Sequence, residues 1–397
     1  MWNTEPRHLA VRAHKNGVVT SLLFDGERII TASDSGKINV HDVQSGAPLR
    51  NLEGHEGGVW AIQQYQNTLV SASTDRSIRV WDLEKGECTH IFRGHKSTVR
   101  TLKILPPTQV DQDTTHEADT VHDWPLIISG SRDSTLRIWK LPQAEDPTYL
   151  PSADTQGEDC PYLLRVLEGH QHSVRAMAAH GDTLVSGSYD CTVRVWKIST
   201  GALLHTLDGH GYKVYAVAID QKRNRVISGS MDHTVRIWSL ETGAPLFTLE
   251  GHTSLVGILE LKEDIIVSAS ADSVLRVWDP ENGECRSVLS GHSGAVTCFQ
   301  HDNEKVVSGS DRGVKMWNIQ TGVLEKDLLT ELSGVWQVCF RGQHCVAAVQ
   351  RDSVTFIEVS LMTTSCAGNW LIREDSRFRP VARSCPIRAA RKAYAGG

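Results

Sequence analysis

The stretch Glu53-Gly54-His55-Glu56-Gly57-Gly58-Val59-Trp60, continued by Ser71-Ala72-Ser73-Thr74-Asp75 and closed by Ile78-Arg79-Val80-Trp81-Asp82, decides the fold, because the chain writes it repeatedly. A Gly-His or near-equivalent pair ends at His14, His55, His95, His170, His210, His252 and His292. Each is followed by an alternating apolar segment, a Ser-x-Ser-x-Asp-like turn and an apolar strand that ends in Trp plus one polar residue. The endings are His41-Asp42, Trp81-Asp82, Trp139-Lys140, Trp196-Lys197, Trp238-Ser239, Trp278-Asp279 and Trp317-Asn318, so the first copy holds His41 where six others hold Trp. Successive His residues stand 41, 40, 75, 40, 42 and 40 positions apart. Period-2 alternation reads as strands, and a fixed period near forty reads as stacked units that bury their faces against one another.

An eighth, weaker copy follows, in which Ser333-Gly334-Val335-Trp336 matches Gly57-Gly58-Val59-Trp60 and Thr355-Phe356-Ile357-Glu358-Val359 closes without a Trp-Asp ending. The set resembles WD-repeat propellers, which implies an all-β chain forming an eight-bladed β-propeller over residues 1–359. Leu9-Ala10-Val11 stands where an outer strand precedes the first His, so the N-terminal strand is expected to complete the last blade and leave no open sheet edge. The 75-residue interval is one blade plus two acidic insertions, about residues 106–125 and 142–161. Each carries five acids and no Lys or Arg between Pro106 and Trp124 and between Pro142 and Cys160. Both are expected as solvated surface loops. Residues 360–397 hold seven Lys/Arg against two acids, a basic tail expected to be disordered.

Composition removes other classes. The chain has 397 residues, 11 Trp, 32 Gly and a net charge of −6, and without the +5 of its tail the body stands at −11. An acidic body without a basic stripe speaks against nucleic acid. No apolar run reaches the roughly 18 residues of a membrane helix, and Met1–Arg7 lacks the apolar core of a signal peptide, so the expected location is nucleus or cytoplasm. Nine Cys without Cys-x-x-Cys spacing fit reduced thiols. No metal cluster, P-loop or other cofactor motif is present, and no cofactor is expected. Nearly every copy contains a Ser, a His and an Asp, yet an enzyme needs one site rather than seven. These groups are expected to form a buried hydrogen-bond network in each blade, and the chain to be no enzyme.

Where a position serves the blade, the copies agree. Two columns diverge instead into large functional side chains. The fifth residue after the His reads Val19, Trp60, Arg100, Arg175, Tyr215, Gly257, Thr297 and Trp336. The residue before the turn Asp reads Asp34, Thr74, Arg132, Tyr189, Met231 and Ala271, then Ser310 or Asp311 in a seventh turn that is one residue shorter. Both columns belong to one mouth of the central channel. Blades two to five therefore present Trp60, Thr74, Arg100, Arg132, Arg175, Tyr189 and Tyr215 to one space, joined by Arg76, Ser97, Thr98 and Met231. Converging guanidiniums repel one another unless an anion arrives. A phosphate offers each Arg a charge-assisted, bidentate partner, hydroxyls serve its other oxygens, and the aromatic residues with Met231 provide a shelf for a proline or an aliphatic side chain.

At these residues the chain resembles the cell-division-control-protein-4 family of F-box/WD-repeat proteins, the filamentous-fungal members most of all, over about residues 8–359. The similarity rests on Glu53–Trp60, Ser71–Arg76, Gly94–Arg100, Ser129–Asp133, His172–Arg175, Ser186–Asp190 and Lys213–Tyr215. It implies the substrate receptor of an SCF (Skp–cullin–F-box) ubiquitin ligase, which binds Ser/Thr-Pro phosphodegrons of cell-cycle regulators. By the same resemblance Arg100, Arg132 and Arg175 hold the phosphate, Arg76 and Tyr215 assist, and Trp60, Thr74, Thr98 and Tyr189 line the groove. Thirteen residues precede His14, too few for the family's F-box, so SCF components are expected as partners only of a longer form. The alternative is a WD-repeat scaffold with constitutive contacts at its rim.

Overall fold

Each copy holds four short runs rich in Val, Ile and Leu, parted by Gly, Asp, Asn and Ser turns, and four such runs make one twisted antiparallel sheet. The computed structural model describes residues 9–14, 17–107, 123–152, 160–262, 264–361, 363–364 and 370–371. It contains eight four-stranded sheets, no helix among the described residues, and a short pairing of Thr363–Thr364 with Trp370–Leu371. Blade one runs through Val19–Phe24, Arg28–Ser33, Ile38–Asp42 and Pro48–Leu52, and blades two to seven repeat that order from the inside outward. The inner strands, from Val19–Phe24 round to Gly334–Arg341, neighbour one another in a closed ring.

Closure comes as the sequence implied. Blade eight takes Gly334–Arg341, His344–Arg351 and Val354–Leu361 from the end of the chain, and Leu9–His14 supplies its outer strand, with Leu9 opposite Val359 and Ala10 opposite Glu358. The core is divided into eight apolar seams, one between each pair of neighbouring blades. The last seam joins Ala13, Val19 and Ile29 to Val346, Ala348 and Ile357.

The recurring His, Ser, Asp and Trp form the expected buried network. In blade five His210 Nδ1 lies 2.7 Å from Asp232 Oδ2 and Nε2 2.8 Å from Ser228 Oγ, while Trp238 Nε1–H donates to the same hydroxyl at 2.8 Å. Blades two, three, four and six repeat this through Asp75, Asp133, Asp190 and Asp272. Burial alone raises the carboxyls of Asp75, Asp133, Asp190 and Asp232, but the hydrogen bond from His and its neighbours outweighs it and holds each well below the usual carboxylate range. The Ser hydroxyls sit in fully buried residues, out of reach of any substrate.

Two blades depart, each for a local reason. In blade seven Ser310 pairs directly with Gly313, so the turn is the shorter one the spacing suggested, and His292 bonds Ser308 at 2.7 Å with no carboxylate partner among the described residues. In blade one the imidazole of His41 replaces the indole. Elsewhere the Gly before the His admits that indole: a Cβ on Gly209 or Gly291 would meet the Trp Cη2 at 3.1 Å, and their φ of +154° and +159° suit only Gly. Where the indole is missing, the residue before His14 is Ala13, buried in the seam. The two exceptions compensate for each other.

The second acidic insertion is not wholly the solvated loop expected. Tyr149 bridges His90 in parallel, donating to Thr89 O at 3.0 Å and accepting from Ile91 N at 2.8 Å, so the segment lies along the outer edge of blade two. Tyr162 and Phe92 stack at 5.4 Å, Phe92 and Trp139 at 5.2 Å, and the Tyr162 hydroxyl meets His90 Nε2 at 3.1 Å. The aromatic residues flanking the acids anchor it, which charge counting does not register. Residues 108–122 and 153–159, and all but four residues of the tail past Leu361, lie outside the described residues.

Candidate functional site

In every blade the inner strand breaks register near its start: in blades two to six pairing jumps from Val59 to Ala61, Val99 to Thr101, Val174 to Ala176, Val214 to Ala216 and Val256 to Ile258. The residue skipped is a β-bulge, which leaves the ladder and re-aims its side chain. Those residues are Trp60, Arg100, Arg175, Tyr215 and Gly257, the first divergent column. A Cβ built on Gly257 would meet nothing within 4 Å, so the column faces open space.

Blade one corrects the column. Its jump runs from Val19 to Ser21, so the bulged residue is Thr20, and Val19 is a core residue with 2% exposure. The loop after His14 is one residue longer than in blade two, and a fixed count from the His therefore misses. Thr20 and its counterpart Thr297 serve the ring. The Thr297 hydroxyl donates to Val335 O of blade eight at 2.7 Å, and that of Thr20 to Val59 O of blade two. Trp336 is the bulged residue of blade eight, half-buried against the closing seam.

The second column sits beside the first because its backbone closes the same loop. Thr74 N donates to Gly58 O, Arg132 N to Thr98 O, Tyr189 N to Ser173 O and Met231 N to Lys213 O, at 2.9 to 3.0 Å. Arg132 stands next to Asp133 in the chain, but that carboxylate is taken up by His95, Lys96 N and Thr135. Among the described residues no ion pair forms on Arg100, Arg132 or Arg175.

Aromatic faces hold two of these cations instead. The Arg100 guanidinium lies 4.7 Å over Trp60, that of Arg175 5.8 Å over Tyr215, and the Tyr189 and Tyr215 rings stand 5.1 Å apart. Burial, and next the charges of Arg175 and Arg132, pull Arg100 below its ordinary pKa against the opposing pull of the two tyrosines. Burial and a hydrogen bond with Tyr189 push the Tyr215 hydroxyl up, so it stays a donor beside the guanidiniums. A cavity of about 470 Å³ opens here, lined by Arg100, Arg132, Ser134, His172, Ser173, Tyr189 and Lys213.

The structure thus brings Arg100, Arg132 and Tyr189 into one cavity wall and ties Trp60, Arg175 and Tyr215 to them by ring contacts. Thr74, Arg76, Ser97 and Met231 stand on the same rim without lining that cavity, and Thr98 contributes its carbonyl. Sequence reading missed Ser134, His172, Ser173 and Lys213. A signal for three of them exists: Ser134 occupies the slot of Arg76, both with φ near +70°, and Ser173 and Lys213 occupy that of Thr98, three residues after the His. No group of three or more His, Cys, Asp or Glu residues among the described residues is arranged to hold a metal ion.

Comparison with known proteins places this geometry. The profile of the WD domain, G-beta repeat, matches residues 6–42, 46–82, 86–140, 161–197, 201–239, 243–279 and 283–318. WD repeat-containing protein pop2 of Schizosaccharomyces pombe is 52% identical over 359 residues, covering 89% of this chain and 51% of the relative. Cell division control protein 4 of Candida albicans is 46% identical over 364 residues, covering 89% and 53%. The chain therefore spans about half the length of these relatives. Among solved structures, the computationally designed Ika8 protein superposes with a TM-score of 0.72 at 29% identity, over 89% of this chain and 98% of that one.

Proposed function

Because the chain belongs to the WD-repeat family, whose blades it carries in a closed ring of eight, we propose that it is a phosphopeptide receptor: the substrate-recognition part of an SCF-type ubiquitin ligase. Its ligands are Ser/Thr-Pro phosphodegrons of cell-cycle and other regulatory proteins, marked for degradation in the nucleus or cytoplasm. The similarity to cell division control protein 4 supports the receptor role. The observation that carries the ligand class is the convergence of Arg100, Arg132 and Arg175 without carboxylate partners among the described residues.

The mechanism is recognition gated by charge. In the free protein the partly desolvated Arg100 guanidinium is repelled by those of Arg175 and Arg132, while Trp60 holds Arg100 and Tyr215 holds Arg175. A phosphate replaces that repulsion with charge-assisted hydrogen bonds, each contributing about 1.5–3 kcal/mol. The Tyr215 hydroxyl donates to a remaining oxygen, and the Trp60 face flanks the residue beside the phosphate. An unphosphorylated hydroxyl leaves the cations as they were, so the switch lies in the difference between two affinities. Catalysis has no part in it, and transfer of ubiquitin belongs to other subunits of the ligase.

Fluorescence polarisation tests this directly, with a Leu-Pro-phosphothreonine-Pro peptide and its unphosphorylated twin. Binding of the phosphorylated form alone, weakening with salt, is expected. Equal affinity for both, or none for either, overturns the reading and leaves a scaffold.

A further inference from the structure

In blades two to seven the third strand carries a basic residue two positions before its Trp: Arg79, Arg137, Arg194, Arg236, Arg276 and Lys315. In blades two to six that guanidinium lies 5.8 to 6.0 Å from the centre of the indole. The indole packs into the seam toward the preceding blade, Trp81 among Ile30 and Val40 of blade one, with the guanidinium over it. Blade one shortens both members at once, to Asn39 and His41. It keeps their bond to the loop: Arg276 Nη2 donates to Gly251 O at 2.8 Å, and Asn39 Nδ2 donates at 2.6 Å to Ala13 O, which holds the same place before the His. It does not replace their bulk. A cavity of about 790 Å³ opens between the Leu9–His14 strand and the outer strands of blade one, within the roughly 300–1,000 Å³ of small-molecule sites.

Val11, Ala13 and Pro48 give this cavity apolar walls, and Asn39, His41 and Asn51 give it polar ones. Asn39 stands opposite Asn51 in the sheet, so the two amides share a face. Each directs its N–H to a group that can only accept, Asn39 to Ala13 O and Asn51 to Glu53 Oε1 at 2.8 Å, which settles which way both amides point. Neither amide oxygen has a hydrogen bond among the described residues, and His41, only 6% exposed, has no partner on its Nδ1. Burial holds that imidazole below its ordinary pKa, so the ring is neutral. Charge at the mouth is cancelled or turned away. Lys37 pairs with Glu53 at 2.7 Å, and Arg50 shares the face of Val40, donating to Glu84 O of blade two at 2.7 Å. Arg12 alternates away from Val11 and Ala13 along its strand.

Two open acceptors beside a flat slot call for a flat donor. We propose that the seam between blades eight and one binds a small uncharged heteroaromatic molecule, whose ring takes the space left by the indole and guanidinium and whose N–H groups donate to Asn39 and Asn51. Indole-type rings and amino-substituted bases share that chemistry. The site has no residue in common with the phosphopeptide site and does not depend on that reading. Because Val11 and Ala13 form one of its walls, an occupant also clamps the closing strand to blade one.

Ligand-observed NMR titration of the whole chain with indole and with adenine tests this. Submillimolar binding of at least one is expected, and the tighter of the two identifies the class. The matched ring without the donor, 1-methylindole or 6-dimethylaminopurine, should bind roughly tenfold more weakly, the order that one lost hydrogen bond supplies. Hydrogen exchange at Leu9–His14 should slow when the ligand is bound. Asn39→Arg restores the guanidinium of the other blades, and His41→Trp with Ala13→Gly restores their indole. Each should abolish binding while the variant keeps a cooperative thermal transition. No binding of either ring at millimolar concentration, equal affinity for the methylated ring, or unchanged affinity in both refilled variants overturns the proposal.

Discussion

Replacing Arg100 by Met separates a binding role from a structural one by the sign of two effects. The guanidinium is half-buried over Trp60, and burial, Arg175 and Arg132 together disfavour its charged form in the fold. By linkage, a cation whose folded pKa is lowered makes a net unfavourable contribution to stability. Met keeps much of the aliphatic stem, loses a cation–π contact of about 0.5–1 kcal/mol and removes the repulsion. Thermal stability should therefore stay level or rise, by no more than about 1 kcal/mol given solvent screening. Phosphopeptide affinity should move the other way, by about 2–5 kcal/mol, or roughly 30- to 5,000-fold, the cost of deleting one partner of a close charge contact. Differential scanning fluorimetry and polarisation on the same preparation read both quantities. A lower melting temperature with unchanged affinity would refute the reasoning and make Arg100 a packing residue.

Three further outcomes follow from the blades themselves. Ser228→Ala deletes the acceptor shared by His210 and Trp238 and leaves two buried polar atoms unpaired, so urea denaturation should show a loss of about 2–4 kcal/mol; a loss below about 1 kcal/mol contradicts the network. His41→Trp alone should destabilise by about 1–3 kcal/mol, because the indole meets the Ala13 Cβ, whereas Ala13→Gly with His41→Trp should recover stability, and strictly additive effects in the double-mutant cycle would count against the compensation. Burial first, then His41 beside His14 and Lys315 beside His292, hold these two imidazoles at about 4 rather than 6.5. Between those values the unfolded chain binds more protons, so stability should fall as pH drops from about 6.5 to 4, with His14 alone worth up to about 3 kcal/mol; a flat urea midpoint across that range would contradict it.

The sequence carried the ring because its marks are imposed by geometry that every blade shares. The indole needs Gly before the His, and the His needs Ser and Asp beneath it, so the spacing of His55, Ser71, Asp75 and Trp81 is enough to announce a blade. The bulged column that makes the candidate site was legible for the opposite reason, since Trp60, Arg100, Arg175 and Tyr215 stand at a bulge that the blade itself does not constrain. Thr20 escaped because a loop longer by one residue shifts the count without altering the composition. Lys213 and Ser134 escaped because their columns hold mostly small or polar residues in other blades and look like ordinary loop. The docking of Tyr149 and Tyr162 was hidden by the acids around them, which dominate a charge count although two aromatic rings decide where the segment lies.

The pairing of Leu9 with Val359 has a consequence for synthesis. These partners stand 350 positions apart. At roughly 5–20 residues per second a ribosome emits the second about twenty to seventy seconds after the first. Blades one to seven are each built from consecutive hairpins and can assemble as they emerge, but Leu9–His14 has no partner until Val354–Leu361 has been made. During that interval Leu9–His14 is an unpaired edge on a nascent protein, open to capture by any chaperone or stray strand. Closing the ring is therefore also its most vulnerable moment, and the yield of folded propeller depends on how Leu9–His14 is sheltered until then.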